Sequence, residues 1–384
     1  MNDKKTIYLD HAATTPLDPE VFEKMKPYFC ELFGNADSPH GLGRKSMLAV
    51  DGARDTVARL IGAKPSEVYF TSGGTESDNW AILGGAYAKK REGKTRILIS
   101  SIEHHAALSA AERLEKEGFI IDYIPVNEGG RVEPTAVKER LDDSVALVCV
   151  MAANNETGAI QPVREIAELV RNHGALFFTD CVQLAPYRKL DVQELGADLL
   201  SFSAHKFFGP KGVGVLYIRD GVKMEKLVGG GEQERGLRGG TLNVPSVVGL
   251  AAAYDLAVRG LDETEKKLAS LKARFLNGID ALGGVAVNGD SENALPAVLN
   301  LRIEGVENTA FLFNMDLQGV AIAAGSACAS ASVKPSHVLL AMGLSESQAK
   351  TCVRISFGKD NTEAEIDEAA KIFVATVNRL RALN

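Results

Sequence analysis

The sequence predicts an α/β protein: a large domain built on a mostly parallel, seven-stranded sheet, followed by a smaller α+β domain. Three observations predict it. From about residue 17 to 260, apolar strand-like runs alternate with amphipathic helical stretches, the pattern of a largely parallel sheet covered on both faces. A long charged helical stretch, DETEKKLASLKARFLNGIDAL (262–282), then runs with few turn signals inside it. Beyond it the alternation stops, and AVLNLRIEG (297–305) and VRISFG (353–358) read as isolated strands among helices.

In chain order, the strand candidates of the large domain are EVYFT (67–71), RILIS (96–100), FIIDYIPV (119–126), VALVCVM (145–151), ALFFTD (175–180), LLSFS (199–203) and GVGVLYI (212–218). Each is a short apolar run rich in β-branched and aromatic residues. Helical stretches such as PVREIAELVRNHG (162–174) sit between several of them. The expected division is an N-terminal segment at 1–16 lying on the small domain, a large domain at 17–260 and a small domain at 261–384.

The chain has 384 residues, 45% of them hydrophobic, enough for a large core. Its net charge of −7, with no basic block, argues against a non-specific nucleic-acid surface. No apolar run approaches the length needed to span a bilayer, and the N-terminus lacks the apolar core of a signal peptide. The five cysteines, Cys30, Cys149, Cys181, Cys328 and Cys352, are scattered, odd in number and without a C-x-x-C pair. Neither a disulfide framework nor a zinc site is expected, and a reducing cytoplasm is the simplest setting. Cys328 stands apart: it lies in GSACASAS (325–332), among small residues with nothing large to bury it, which reads as a thiol presented rather than packed.

Ligands of open α/β sheets bind outside the carboxyl ends of the strands, so the polar residues that follow each strand carry the functional reading. After EVYFT, Gly73 and Gly74 permit a tight turn and Thr75 opens a helix. That turn is either an ordinary helix N-cap or a site for a single phosphate, with free N–H groups at the positive end of a helix dipole. No dinucleotide fingerprint and no P-loop is present. After RILIS come His104 and His105, adjacent histidines that on a helix face opposite ways, so one at most points into a cleft. After VALVCVM, Asn154 and Asn155 are either turn formers or donors to a ligand. Asp180 ends a buried strand, where a carboxylate is costly without a positive partner; Gln183 follows it. After LLSFS, Ser203, His205 and Lys206 cluster beside Phe207 and Phe208. Lys206 is either a Schiff-base lysine or a half-buried partner of Asp180. Together, a phosphate turn, a strand-end acid and a desolvated lysine are the three anchors pyridoxal phosphate needs.

Ordered along the chain, YLDHAATTP (8–16), TSGGTESDN (71–79), IEHHA (102–106), NNETGAIQP (154–162), TDCVQ (179–183), SAHKFFGPKGVG (203–214), GEQERGLRGGT (231–241), GSACASAS and VRISFG form a pattern. It resembles that of cysteine desulfurases of the NifS/IscS type, in the class V aminotransferase group with the type I fold of pyridoxal-phosphate enzymes. The resemblance implies removal of sulfur from L-cysteine, leaving alanine and a persulfide on Cys328. It implies an imine between the cofactor and Lys206, which later moves the Cα proton, and His104 stacked on the ring. Asp180 would pair with the ring nitrogen and Gln183 with the ring hydroxyl. Gly74, Thr75, Ser203 and His205 would hold the phosphate, with Thr241 supplied from the other subunit of a homodimer. Asn155 and Arg354 would bind the substrate carboxylate, for which a bidentate arginine fork is suited. No resident metal is implied, although Cys328 could meet an iron–sulfur cluster in passing. The implied partner is a sulfur acceptor, an iron–sulfur scaffold or a tRNA-thiolation protein. Departures from the family are modest: Gly74 often stands as Ala, Ala323-Ala324 as Ser-Ser, and Ala329 as Thr. The rival readings are a selenocysteine lyase or aminotransferase of the same fold, and a sulfur-relay or scaffold protein without catalysis.

Overall fold

The computed structural model describes residues 6–325 and 335–383. Cys328, and with it most of GSACASAS, lies outside the described residues. Twelve strands are described: β1 (Ile7–Tyr8), β2 (Val68–Thr71), β3 (Arg96–Ser100), β4 (Ile120–Ile124), β5 (Val145–Cys149), β6 (Leu176–Asp180), β7 (Leu199–Ser203), β8 (Gly214–Ile218), β9 (Val285–Asn288), β10 (Val298–Ile303), β11 (Val320–Ala321) and β12 (Cys352–Ser356).

Seven of them form the central sheet, in the order β2-β8-β7-β6-β5-β3-β4. β8 runs antiparallel to both neighbours and the other contacts are parallel. Six strands therefore end on one edge of the sheet, as the sequence alternation predicts. Side chains alternate between faces. Leu147, Phe178 and Leu199 pack on one face with Trp80 and Leu83 of the helix Gly74–Lys90 and Leu114 of the helix His105–Lys116. Val148, Phe177 and Leu200 share the opposite core with Val57, Ile166 and Leu250. Burial on both faces is why these runs are continuously apolar rather than alternating. β4 departs from its expected burial: Ile120 and Tyr123 are exposed, because β4 pairs only with β3 and closes the sheet at that edge.

The long charged stretch forms the helix Leu261–Ile279, following Val244–Arg259. Leu268, Leu271, Phe275 and Ile279 are buried at helical spacing. Phe275 meets Phe373 of the helix Glu363–Arg381 edge to face, ring centroids 5.6 Å apart. No single helix among the described residues is long and apolar enough to cross a membrane.

The strands expected to be isolated are not. β10 pairs antiparallel with both β12 and β9, making a three-stranded sheet. β10 and β12 lie about fifty residues apart in sequence, too far for local pattern to announce a ladder. β1 pairs in parallel with β11, Ile7 opposite Val320. The N-terminal stretch thus joins the last third of the chain before it reaches the edge of the central sheet.

Candidate active site

The carboxyl ends of β2, β6 and β7 and the loops after β3 and β5 meet at one pocket, which takes its lining from Ala12, Gly74, His104, Asn155, Asp180, Gln183, Ser203, His205, Lys206 and Arg354, among others. These residues come from segments spread over almost the whole sequence.

At the end of β2 the chain turns through Gly73 (φ 150°) into the helix that begins at Gly74. Only glycine takes that φ without strain. Gly73 also lies against Gly214, where a Cβ would sit 2.7 Å from the Gly73 carbonyl carbon. Two backbones in contact draw the turn close to β8 and leave the first N–H groups of a seventeen-residue helix at the pocket, a favourable place for a phosphate. Thr75 is exposed at the lip and Ser203 is buried. His205 Nδ1 is 3.1 Å from Thr14 Oγ1. Burial, then the charges of Lys206 and Lys211, push the imidazole down to about 4.

Lys206 Nζ donates to the carbonyls of Ala12 at 2.6 Å and Ala13 at 2.8 Å. Gln183 Nε2 donates to the same Ala12 carbonyl at 3.0 Å. Asp180, 5% exposed, accepts from the Val182 N–H at 2.7 Å. Burial pushes its carboxyl up to about 6, opposed by that hydrogen bond and by the charge of Lys206. A carboxylate on the pocket wall that is so poorly solvated suits a cationic partner such as a protonated ring nitrogen.

His104 does not lie inside a helix with His105, as the sequence reading had it. It is the N-cap of His105–Lys116, with Nδ1 accepting the Ala106 N–H at 3.1 Å. The cap turns the two rings apart: His104 lines the pocket and His105 faces His337, centroids 4.7 Å apart. Burial chiefly, then the charges of Lys206, His105 and His337, push His104 down to about 4, so it is neutral at physiological pH. Arg354, 1% exposed, donates to Asp10 at 2.7 Å and to the Asn155 carbonyl at 2.9 Å. Its Nε is buried without a partner among the described residues. Thr241 is exposed and is not part of the pocket lining.

The chain matches the model of the family described as Aminotransferase class-V over residues 7–369. It is 50% identical over 376 residues to the putative cysteine desulfurase IscS 1 of Bacillus subtilis (strain 168), covering 97% of this chain and 99% of the relative. The chain belongs to the class V aminotransferase family, among the IscS/NifS-like cysteine desulfurases. Two solved structures overlay closely. A NifS-like protein does so with a TM-score of 0.92 at 36% identity, covering 97% of this chain and 100% of the other. SspA, in complex with cysteine, gives a TM-score of 0.82 at 35% identity, with 91% and 98% covered.

Five residues around this desulfurase pocket escape the strand-end reading. Asp10 holds Arg354. His11 is 4% exposed with Nδ1 unpartnered among the described residues. Asp78 is 1% exposed, lines the pocket and lies 2.5 Å from Ser201 Oγ; burial first, then the Asp180 charge, pushes its carboxyl well up. Glu103 is fully buried and accepts the Met151 N–H at 2.7 Å. Glu156, 2% exposed, accepts from Ser336 Oγ at 2.6 Å. Each sits inside a motif quoted above (YLDHAATTP, TSGGTESDN, IEHHA, NNETGAIQP), and those motifs are the only signal for them. Of the remaining cysteines, Cys149, Cys181 and Cys352 are buried and Cys30 is exposed, all as free thiols.

Proposed function

We propose that the chain removes sulfur from L-cysteine using pyridoxal 5′-phosphate, giving L-alanine and a persulfide on Cys328. The observation that carries this reading is one pocket holding Lys206, Asp180, Ser203, His205 and the Gly74 helix terminus together with Asn155 and Arg354. The donor set fits that cofactor. Backbone N–H groups, Thr75, Ser203 and His205 suit the phosphate, Asp180 the ring nitrogen, Gln183 the ring hydroxyl, His104 the ring face and Lys206 the aldehyde carbon. Bound there, the cofactor supplies an electron sink for the substrate Cα.

The chain's own groups do the rest. Asp10 and the Asn155 carbonyl fix the plane of the Arg354 guanidinium, which takes the substrate carboxylate with Asn155. Lys206 moves the Cα proton at Nζ. Neutral His104, with Nδ1 taken up by the Ala106 N–H, carries its proton on Nε2. Cys328, as thiolate, forms an S–S bond to the substrate sulfur while the Cβ–S bond breaks, its electron pair staying on carbon to be protonated. Thiol plus cysteine gives persulfide plus alanine, so no outside oxidant is needed. The likeness to SspA, solved in complex with cysteine, supports the substrate.

The same reading makes the protein a cytoplasmic homodimer that passes the persulfide sulfur to an acceptor protein, either an iron–sulfur scaffold or a tRNA-thiolation protein. Phe29, Phe33 and Leu48, at 55, 65 and 71% exposure, give an apolar surface in support of a partner subunit. Cys328→Ala is the test: it is expected to keep the coloured cofactor and to lose both sulfide and alanine production from cysteine. Full activity in that variant overturns the role given to Cys328, and keto-acid formation from cysteine points instead to transamination.

A further inference from the structure

Gly325 and Ser336 flank the stretch that carries Cys328, and both are described. Both meet the same side chain. Ser336 Oγ donates to Glu156 Oε2 at 2.6 Å. A Cβ built on Gly325 would lie 3.1 Å from that same oxygen and 3.6 Å from Oε1, so the carboxylate lies close against Gly325 and an added Cβ would press on it. The chain leaves one oxygen atom and returns to it.

Glu156 is itself held firmly. It is 2% exposed, and its N–H donates to Asn154 Oδ1 at 2.9 Å. Its neighbour Asn155 lines the pocket and accepts from Arg354. The two flanks are tied further. Ala323 exchanges backbone hydrogen bonds with Arg354, at 2.6 and 3.1 Å. Ser336 caps the helix His337–Ala341, and His337 Nε2 is 2.9 Å from the Glu103 carbonyl. Each flank is thereby fastened to a residue next to, or identical with, one assigned to the substrate carboxylate. Cys328 is three residues from Gly325, and three residues span at most about 11 Å. Whatever fixes Gly325 fixes the radius within which the thiol operates.

A carboxylate buried at this depth is costly unless it makes strong hydrogen bonds. A fold needing only to close a loop has cheaper means, whereas joining both flanks at one point beside Asn155 sets a distance. We propose that Glu156 is a positioning residue for sulfur transfer, its side chain fixing both flanks of the Cys328 segment beside the substrate site. This rests on the reading that Cys328 takes the sulfur.

The experiment follows one turnover of the holoenzyme with sulfur-labelled L-cysteine, locating the label by peptide mapping, alongside the cofactor absorbance and the cysteine-induced spectral change. Glu156→Ala and Ser336→Ala are each expected to slow labelling of Cys328 about tenfold or more, while cysteine affinity and cofactor absorbance stay within about twofold. The double variant should be no slower than Glu156→Ala, since that variant has already lost the contact to Ser336. Glu156→Gln keeps an acceptor for Ser336 Oγ and should recover most of the rate. Unchanged labelling in both alanine variants, affinity falling in step with rate, or no recovery with glutamine overturns the proposal. Label on a residue other than Cys328 in the unaltered protein overturns the sulfur-acceptor reading and this inference together. Label on Cys328 at an unchanged rate in the variants overturns this inference alone.

Discussion

Arg354 and Asp10 form an ion pair with a 2.7 Å contact, the guanidinium buried and the carboxylate side chain 20% exposed. They are 344 residues apart. Removing one partner of a buried pair strands the other charge. Asp10→Ala is therefore expected to lower stability by about 3 kcal/mol, read from urea unfolding. Arg354→Lys keeps the charge but loses the fork. It should raise the KM for cysteine at least about tenfold, one bidentate interaction's worth, with cofactor absorbance intact.

Glu103 gives a pH signature. Burial pushes it from 4.5 up to about 8, despite the Met151 N–H bond that favours its charged form, and the Asp180 charge adds to the rise. Between those values the folded chain keeps a proton that the unfolded chain has released, so this group's contribution to stability is present at low pH and falls as pH rises. The slope is at most about 1.4 kcal/mol per pH unit for one proton. Glu103→Gln cannot titrate and still accepts from Met151. Its stability relative to the unaltered apo protein should improve steadily from pH 5 to pH 8, in denaturant titrations at each pH. A difference independent of pH defeats the argument.

The Gly73–Gly214 contact makes a prediction about the phosphate turn. Gly214→Ala drives a Cβ into the Gly73 backbone, and overpacking of this kind costs about 1–3 kcal/mol. The turn cannot yield without moving the helix N-terminus. The expected result is weaker cofactor binding, measured by equilibrium dialysis, with cysteine affinity of the reloaded protein less affected.

The exposed apolar side chains Phe29, Phe33 and Leu48 predict the assembly. Phe29→Asp with Phe33→Asp is expected to shift the protein towards monomer in sedimentation. Cofactor occupancy should fall with it, because Thr241, exposed and outside the pocket of its own chain, would lose the partner it serves. A monomeric holoenzyme with full occupancy contradicts the composite site.

Legibility in the sequence followed the range of each interaction. The strands of the central sheet announce themselves because burial on both faces makes each run apolar, and strand ends point to Asp180, Ser203, His205 and Lys206 as one group. Pairings set by tertiary contact do not announce themselves. β9 is short and half exposed, and β10 looks isolated until β12 returns to it. His104 reads as a helical residue because local sequence does not tell a cap from a first turn. Glu103 and Asp78 look like ordinary surface acids, since depth of burial is a property of the fold. Glu156 matters only through where Gly325 and Ser336 come to lie.

The cradle around Lys206 has a consequence for biosynthesis. The carbonyls of Ala12 and Ala13 that receive Nζ lie 194 and 193 residues before Lys206, yet they are fastened by segments that follow it: β1 lies on β11, and the Ala12 N–H donates to Ser356 Oγ at 2.9 Å. A nascent chain that has just completed the central sheet carries its lysine without that cradle. The cradle therefore closes only once β11 and Ser356, both made after Lys206, have met the earlier segment, so cofactor binding that depends on it comes later than completion of the central sheet.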